Sequence, residues 1–463
     1  MGSGPNGLAA AITLAQAGCH VTVLEAEPTI GGGTRSAALT LPGFTHDVCS
    51  AIHPLGIASP FFRSLPLDQF GLEWIHPPAP LAHPLDDGSA VLLHRSLDAT
   101  TSALGPDGAA YRRLFAPLIA RCDTLLDATL RPLLPPRHPL ALARFGWLGM
   151  HAVHGLARSR FKGVEAQALF GGIGAHSILP LDAPFSASFA LMLGMLAHHA
   201  GWPFPRGGSQ AIADALAAYL RSLGGEIVTS HRVASVGDLP PAAAVFFDLS
   251  PQQVVTIASD RLPVSYRQRL KRFRHGPGAF KLDWALDGPI PWRAAGCAQA
   301  ATVHLGGTID GIVASERAAT HGQHAERPFV LLTQPGLFDP TRAPPGKQTA
   351  WAYCHVPNGS DVDMTMRIEA QVERFAPGFG SRILARHVTP PAELERHNAN
   401  YIGGDIVGGA NDIRQIIARP TPFHPYTIPV KGWYLCSASA PPGGGVHGMA
   451  GFNAAKAALR AGV

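Results

Sequence analysis

Charge is scarce in this sequence: only 15% of its 463 residues are Asp, Glu, Lys or Arg, beside 46% that are hydrophobic. A disordered or solvating chain is therefore excluded, and a large buried core is expected. Lys+Arg number 37 against 32 for Asp+Glu, a small and scattered excess that implies no basic face for nucleic acid. Cysteine is scarce too. The six, at positions 19, 49, 122, 297, 354 and 436, form neither a CxxC pair nor a dense disulfide framework, which fits a reducing compartment and a cytoplasmic protein. The start carries no basic segment and no apolar signal core. A long uncharged stretch, residues 183–205, holds His198-His199 and ends in Gly201-Trp202-Pro203, so it reads as a buried helix rather than a membrane span. No HExxH occurs; His151 and His154 share a helical face without a carboxylate partner. No metal site is expected, and His176, His198 and His199 read as structural.

The first twenty-five residues carry the sharpest signal. Gly2-Ser3-Gly4-Pro5-Asn6-Gly7 spells GxGxxG, an Ala-rich helix follows over residues 8–17, and Gly18 closes it. Residues 19–24 read as a strand with Glu25 at its end. In a nucleotide-binding βαβ unit the first glycine permits a tight turn, the second lets backbone approach a pyrophosphate, and the third lets helix and strand pack closely. The helix start offers N–H groups to phosphates, and Glu25 can accept from a ribose hydroxyl. Only Met1 precedes Gly2, whereas such a fold has a first strand of about five residues before the glycines. A truncated start and a weakened cofactor site are the expectation.

Further glycine loops follow. Ile30-Gly31-Gly32-Gly33-Thr34-Arg35 allows close backbone approach, and Arg35 can offer charge to a phosphate. Residues 43–54 have no clear period and read as a functional loop. Residues 111–133 and 164–179 pattern as helices; Gly171-Gly172-Ile173-Gly174 follows helix rather than strand and is not taken as a second nucleotide loop. Basic residues recur from 137 to 162 around Leu142, Phe145, Trp147, Leu148 and Leu156. That pattern suits a surface helix at a membrane interface, or a solvated helix over an apolar pocket. A helix over 210–223 and a strand over 226–229 look like a return to the nucleotide domain. Alternation in 279–286 and 349–356 predicts an antiparallel sheet. Near the C-terminus a strand over 433–436 leads into Pro442-Gly443-Gly444-Gly445-Val446-His447-Gly448 and a helix from about 449 to 459. There backbone can touch a flat ligand, and a helix start turns positive potential toward it.

As a set, these segments, with Arg206-Gly207-Gly208, resemble the phytoene desaturase-like FAD oxidoreductases. The resemblance is closest to the branch that includes pyridine nucleotide-disulfide oxidoreductase domain-containing protein 2. It spans nearly the whole chain in order, and the C-terminal motif is its most specific part. It implies an α/β fold: a Rossmann-like FAD-binding domain, its first strand missing here, from residues 1–65, 205–260 and 400–463, interleaved with an α+β substrate domain on an antiparallel sheet from 66–204 and 261–399. Gly2, Gly4 and Gly7 would then face the pyrophosphate and Glu25 the adenosine ribose, with Pro5 and Asn6 also binding the cofactor. Arg35 would lie by the phosphates, with Gly32 and Gly33 beside it in the cofactor-binding loop, Val233 would meet the adenine through its backbone, and Gly444, Gly445, Val446 and Gly448 would border the flavin ring. Cys436-Ser437-Ala438-Ser439 departs from the Gly-Asp pair that many FAD proteins place there.

The implied function is an FAD-dependent dehydrogenase or desaturase that moves hydride from an apolar or amphipathic small molecule to the flavin. His447, beside the ring in the motif, is the first candidate catalytic residue, and His53 the second. The rivals are a flavin-binding regulatory or scaffold protein with little turnover, an amine oxidase, and a dehydrogenase that uses NAD alone. Peripheral membrane contact stays open, as do the substrate, the electron acceptor and the oligomeric state.

Overall fold

The computed structural model describes residues 1–463. The helix Pro5–Gln16 buries an unbroken run from Leu8 to Leu14. It does so because it is wedged between the helices Met449–Arg460 and Gln210–Ser222. Alanine and glycine make that approach possible: a Cβ on Gly451 would overlap the carbonyl oxygen of Asn6.

Two short parallel strand pairs lie beside these helices. Thr22–Leu24 pairs with Glu226–Val228, and Val245–Phe247 pairs with Trp433–Leu435. Met1 and Gly2 connect the two pairs in the place of a first strand. The Met1 ammonium donates to Phe246 O at 2.7 Å, Asp248 N donates to Met1 O at 2.9 Å and Gly2 N to Leu24 O at 2.8 Å. The two pairs are thus linked through two residues rather than a full strand.

The second body is a seven-stranded sheet made of β1 (Ala79–Pro84), β2 (Ala90–Leu93), β3 (Gly278–Leu286), β4 (Ala300–Leu305), β5 (Val330–Thr333), β6 (Gln348–Val356) and β7 (Ile383–Thr389). Its order is β7-β3-β6-β5-β4-β1-β2. The expected antiparallel pairing holds for β3 with β6, in register from Gly278↔Val356 to Leu286↔Gln348. One pair departs from it, since β4 runs parallel to β1. Alternation sorts the faces: Phe280, Leu282, Trp284 and Leu286 join Ile368, Val372 and Phe375 in one core, while Lys281 and Asp283 point to the other face. Over β1 and β2 that other face meets the helix Val164–Ala175, against which the helix Ser186–His199 packs, both almost wholly buried. The helical pattern of 111–133 divides into Gly108–Ile119 and Cys122–Thr129. No helix is long and apolar enough to cross a membrane.

Candidate cofactor and substrate cavity

A single cavity of about 460 Å³ is lined at one end by residues 1–6 and at the other by the seven-stranded sheet. Gly2, Gly4, Pro5, Asn6, Glu25, Gly32, Gly33, Arg35, Val233, Gly444, Gly445 and Val446 all line it. Segments more than four hundred residues apart in sequence therefore share one wall. Gly7, Gly448 and His447 lie behind that wall rather than on it. A Cβ on Gly7 would overlap Gly2 O, so this glycine serves the tight return of helix on turn. Gly448 begins the C-terminal helix with φ +68°.

At the nucleotide end, Glu25 is buried with both oxygens engaged. Oε2 accepts from Ser3 N at 2.8 Å and Ser3 Oγ at 2.5 Å; Oε1 accepts from Glu27 N at 2.9 Å and Arg35 Nη2 at 3.4 Å. A ribose hydroxyl reaching Glu25 must share these lone pairs. Arg35 also donates to His397 O at 3.0 Å and Thr29 O at 3.2 Å, so its guanidinium braces the loop instead of standing free. Asn6 brings a buried, unpartnered Oδ1 to this end. The side-chain-free glycine cradle and this orphaned amide fit a dinucleotide.

Asp248 was invisible to motif reading. It follows the strand Val245–Phe247, lines the cavity and accepts from Gly7 N at 2.9 Å. Burial pushes its carboxyl up to about 6, against the opposing pull of the Gly7 N–H and the Met1 ammonium.

Around the second glycine loop, His447 Nδ1 accepts from Met449 N at 3.0 Å and its carbonyl accepts from Ser59 Oγ at 2.6 Å. Burial pulls the imidazole down to about 4. It is a neutral ring tied to the first turn of a helix. His53 does line the cavity, with Nε2 2.8 Å from Ser209 Oγ; burial lowers it to about 4. Ser437, Ala438 and Ser439 line the wall where the Gly-Asp pair is absent.

The sheet end is mainly apolar and aromatic, with Phe189, Met192, Leu193, Trp202, Leu331, Trp351 and Tyr353 on its walls. His176, expected to be merely structural, belongs to this lining. Its Nε2 lies 3.0 Å from His304 Nε2, and its ring stands edge-on to Trp202 with centroids 5.4 Å apart. Burial pulls it down to about 3, so it is neutral. Its partner lies 128 residues away, and no local spacing marks such a pair. The acids that line the cavity, Glu25, Glu27 and Asp248, are all in the nucleotide half.

Residues 1–65 match the family model of an NAD(P)-binding Rossmann-like domain. The whole chain aligns with pyridine nucleotide-disulfide oxidoreductase domain-containing protein 2 of Mus musculus, at 26% identity over 99% of this chain and 92% of that protein. Phytoene dehydrogenase of Streptomyces griseus is 28% identical over 88% and 80%. The chain is thus similar over most of its length to a phytoene dehydrogenase and to a pyridine nucleotide-disulfide oxidoreductase domain-containing protein. Among solved folds, an oxidoreductase from Methanosarcina mazei superposes with TM-score 0.67 at 17% identity, over 99% of this chain and 98% of that one. A putrescine oxidase bound to putrescine superposes with TM-score 0.62, also at 17% identity, over 99% and 97%. The shared fold thus spans both bodies of this chain.

Proposed function

We propose that the cavity holds FAD along its glycine-lined half and an apolar or amphipathic small molecule against the sheet, as a dehydrogenase or desaturase. The observation that carries this reading is the continuity of the cavity from Gly2 and Gly4, past Gly444 to Val446, to Trp351 and Tyr353. Bound there, FAD supplies the hydride acceptor. The chain's own residues do the rest. Gly2, Gly4 and Asn6 flank the pyrophosphate, Glu25 and Val233 the adenosine. Phe189, Met192, Leu193 and Leu331 exclude water and hold apolar carbon near the acceptor. His447 we assign to anchoring the helix Met449–Arg460, because its Nδ1 is already bonded to Met449 N.

Putrescine oxidase shares the fold, and an amine substrate is the second reading. The aromatic walls favour it, but the sheet end has no carboxylate lining to receive an ammonium. Anaerobic mixing of the FAD-loaded protein with lipids, carotenoid precursors and amines separates the readings. Bleaching of the flavin by an apolar or amphipathic compound is expected. Bleaching by amines alone would select the second reading, and no bleaching by any would favour a scaffold.

We also place peripheral contact with an anionic membrane on the helix Pro139–Gly149. Its Leu140 is 81% and Trp147 75% exposed; Arg137 and Arg158 pair with Asp127 and Asp310, whereas Arg144 and, farther along the chain, Arg160 and Lys162 form no salt bridge. Apolar side chains beside unpaired cations suit the headgroup boundary.

A further inference from the structure

Strand register sets three polar side chains in one row across the floor of the cavity. Thr302 of β4 faces Thr333 of β5, and Thr333 faces Trp351 of β6, so all three stand on the same face of the sheet. All three line the cavity. They are 1%, 0% and 4% exposed respectively, yet Thr302 Oγ1, Thr333 Oγ1 and Trp351 Nε1 have no hydrogen-bond partner in the chain.

Such groups are ordinarily satisfied, because an unmade hydrogen bond in a buried place leaves the desolvation cost uncompensated. Three other indoles show this: Trp202 donates to Leu193 O at 3.2 Å, Trp284 to Glu369 Oε1 at 3.0 Å and Trp292 to Gln334 Oε1 at 3.0 Å. Trp351 stands apart from them, and two orphaned hydroxyls stand beside it.

Their chemistry defines a partner. An indole N–H only donates, whereas a threonine hydroxyl both donates and accepts, so the complementary group must carry an oxygen lone pair. The charges nearby favour the same group. Lys281 Nζ lies 5.0 Å from the centre of the Trp351 ring, and Asp283, next in the row, is committed to Lys281 and does not line the cavity. An ammonium would meet a cation behind the ring and no lining carboxylate; an oxygen acceptor would meet up to three donors.

We propose that Thr302, Thr333 and Trp351 form a head-group site, and that the substrate is an amphipathic molecule whose hydroxyl, carbonyl or carboxyl oxygen binds this row while its chain lies along Phe189, Met192 and Leu331. The site deepens the dehydrogenase reading and rests on it for the reaction alone, since head-group binding requires no electron transfer.

The test uses the full-length protein, with its flavin content read separately by absorption, and calorimetric titration with four probes of one chain length: octadecene, oleyl alcohol, oleic acid and oleylamine, each below its aggregation limit. The alcohol or the acid should bind about ten-fold or more tighter than the hydrocarbon and the amine, as one or two added hydrogen bonds require. Which of the two binds tighter separates a neutral from an anionic head group. The T302V/T333V double variant and W351F should each lower that preference by about five-fold or more. T302V/T333V should also melt no lower than the parent, because valine removes an unsatisfied hydroxyl at constant shape. Equal binding of octadecene and oleyl alcohol, tightest binding of oleylamine, or a preference unchanged in both variants would overturn the proposal. Retained oxygen preference in a protein that takes up no flavin would leave the head-group site standing and remove the flavoenzyme reading; flavin uptake without oxygen preference would do the reverse.

Discussion

Asp248 shows how much a single residue can add that no motif announces. Its carboxyl is unperturbed near 3.8 in an open chain and is raised to about 6 in the folded protein by burial. A raised folded value means that its contribution is fully present below pH 4 and is lost as the pH climbs through about 6. The difference corresponds to roughly 3 kcal/mol. Asp248→Asn keeps an oxygen for the Gly7 N–H but carries no charge. Urea unfolding should therefore find the variant more stable than the parent by about 1 to 3 kcal/mol at pH 8, with the gap closing by pH 4. A gap independent of pH would mean that Asp248 titrates normally. Gly7→Ala, in contrast, should weaken FAD binding by about ten-fold or more, since a methyl there meets Gly2 O; a fluorescence titration with FAD reads this directly.

At the scale of elements, the segment 36–47 is fastened to the sheet body by a buried charge cluster. Arg342 Nη2 lies 2.7 Å from Asp47 Oδ2, and Asp339 Oδ2 is 3.3 Å from its Nε. Asp47 Oδ1 accepts from Ser209 N at 2.7 Å and Ser36 Oγ at 2.8 Å. Burial opposes its ionisation, yet the Arg342 guanidinium and these donors hold its carboxyl below the usual range. Arg342→Met strands two buried carboxylates and should cost about 3–5 kcal/mol in a denaturation experiment. The helix Pro139–Gly149 is where we propose the membrane contact. Co-sedimentation with anionic vesicles should capture the parent protein, and Leu140→Glu with Trp147→Glu should abolish capture without lowering the melting temperature. Capture by neutral and anionic vesicles alike would remove the role given to Arg144, Arg160 and Lys162.

Across the whole molecule, what the sequence disclosed and what it hid divide by contact distance. GxGxxG, the helix Pro5–Gln16, the strand ending near Glu25 and the alternation of β3 and β6 are local patterns, and each is present in the fold, the helix starting three residues earlier than expected and the strand shortened from 19–24 to Thr22–Leu24. Thr302, Thr333 and Trp351 become a row only through the register of three strands, Asp47 meets Arg342 across 295 residues, and His176 reaches the cavity by meeting His304. None of these has a period or spacing of its own. The motif placed His447 beside a flavin ring, but it could not show that the imidazole is already spent on Met449 N. Glycine loops also serve NAD as well as FAD, so the cavity's length from Val233 to Trp351 carries more of the cofactor assignment than the first loop alone. Equilibrium dialysis of the purified chain against equal concentrations of FAD and NADH tests that assignment most directly. Saturable uptake of one FAD per chain, with displaced flavin absorption bands and no retained NADH, is the expected result; saturable NADH with no bound flavin would contradict it.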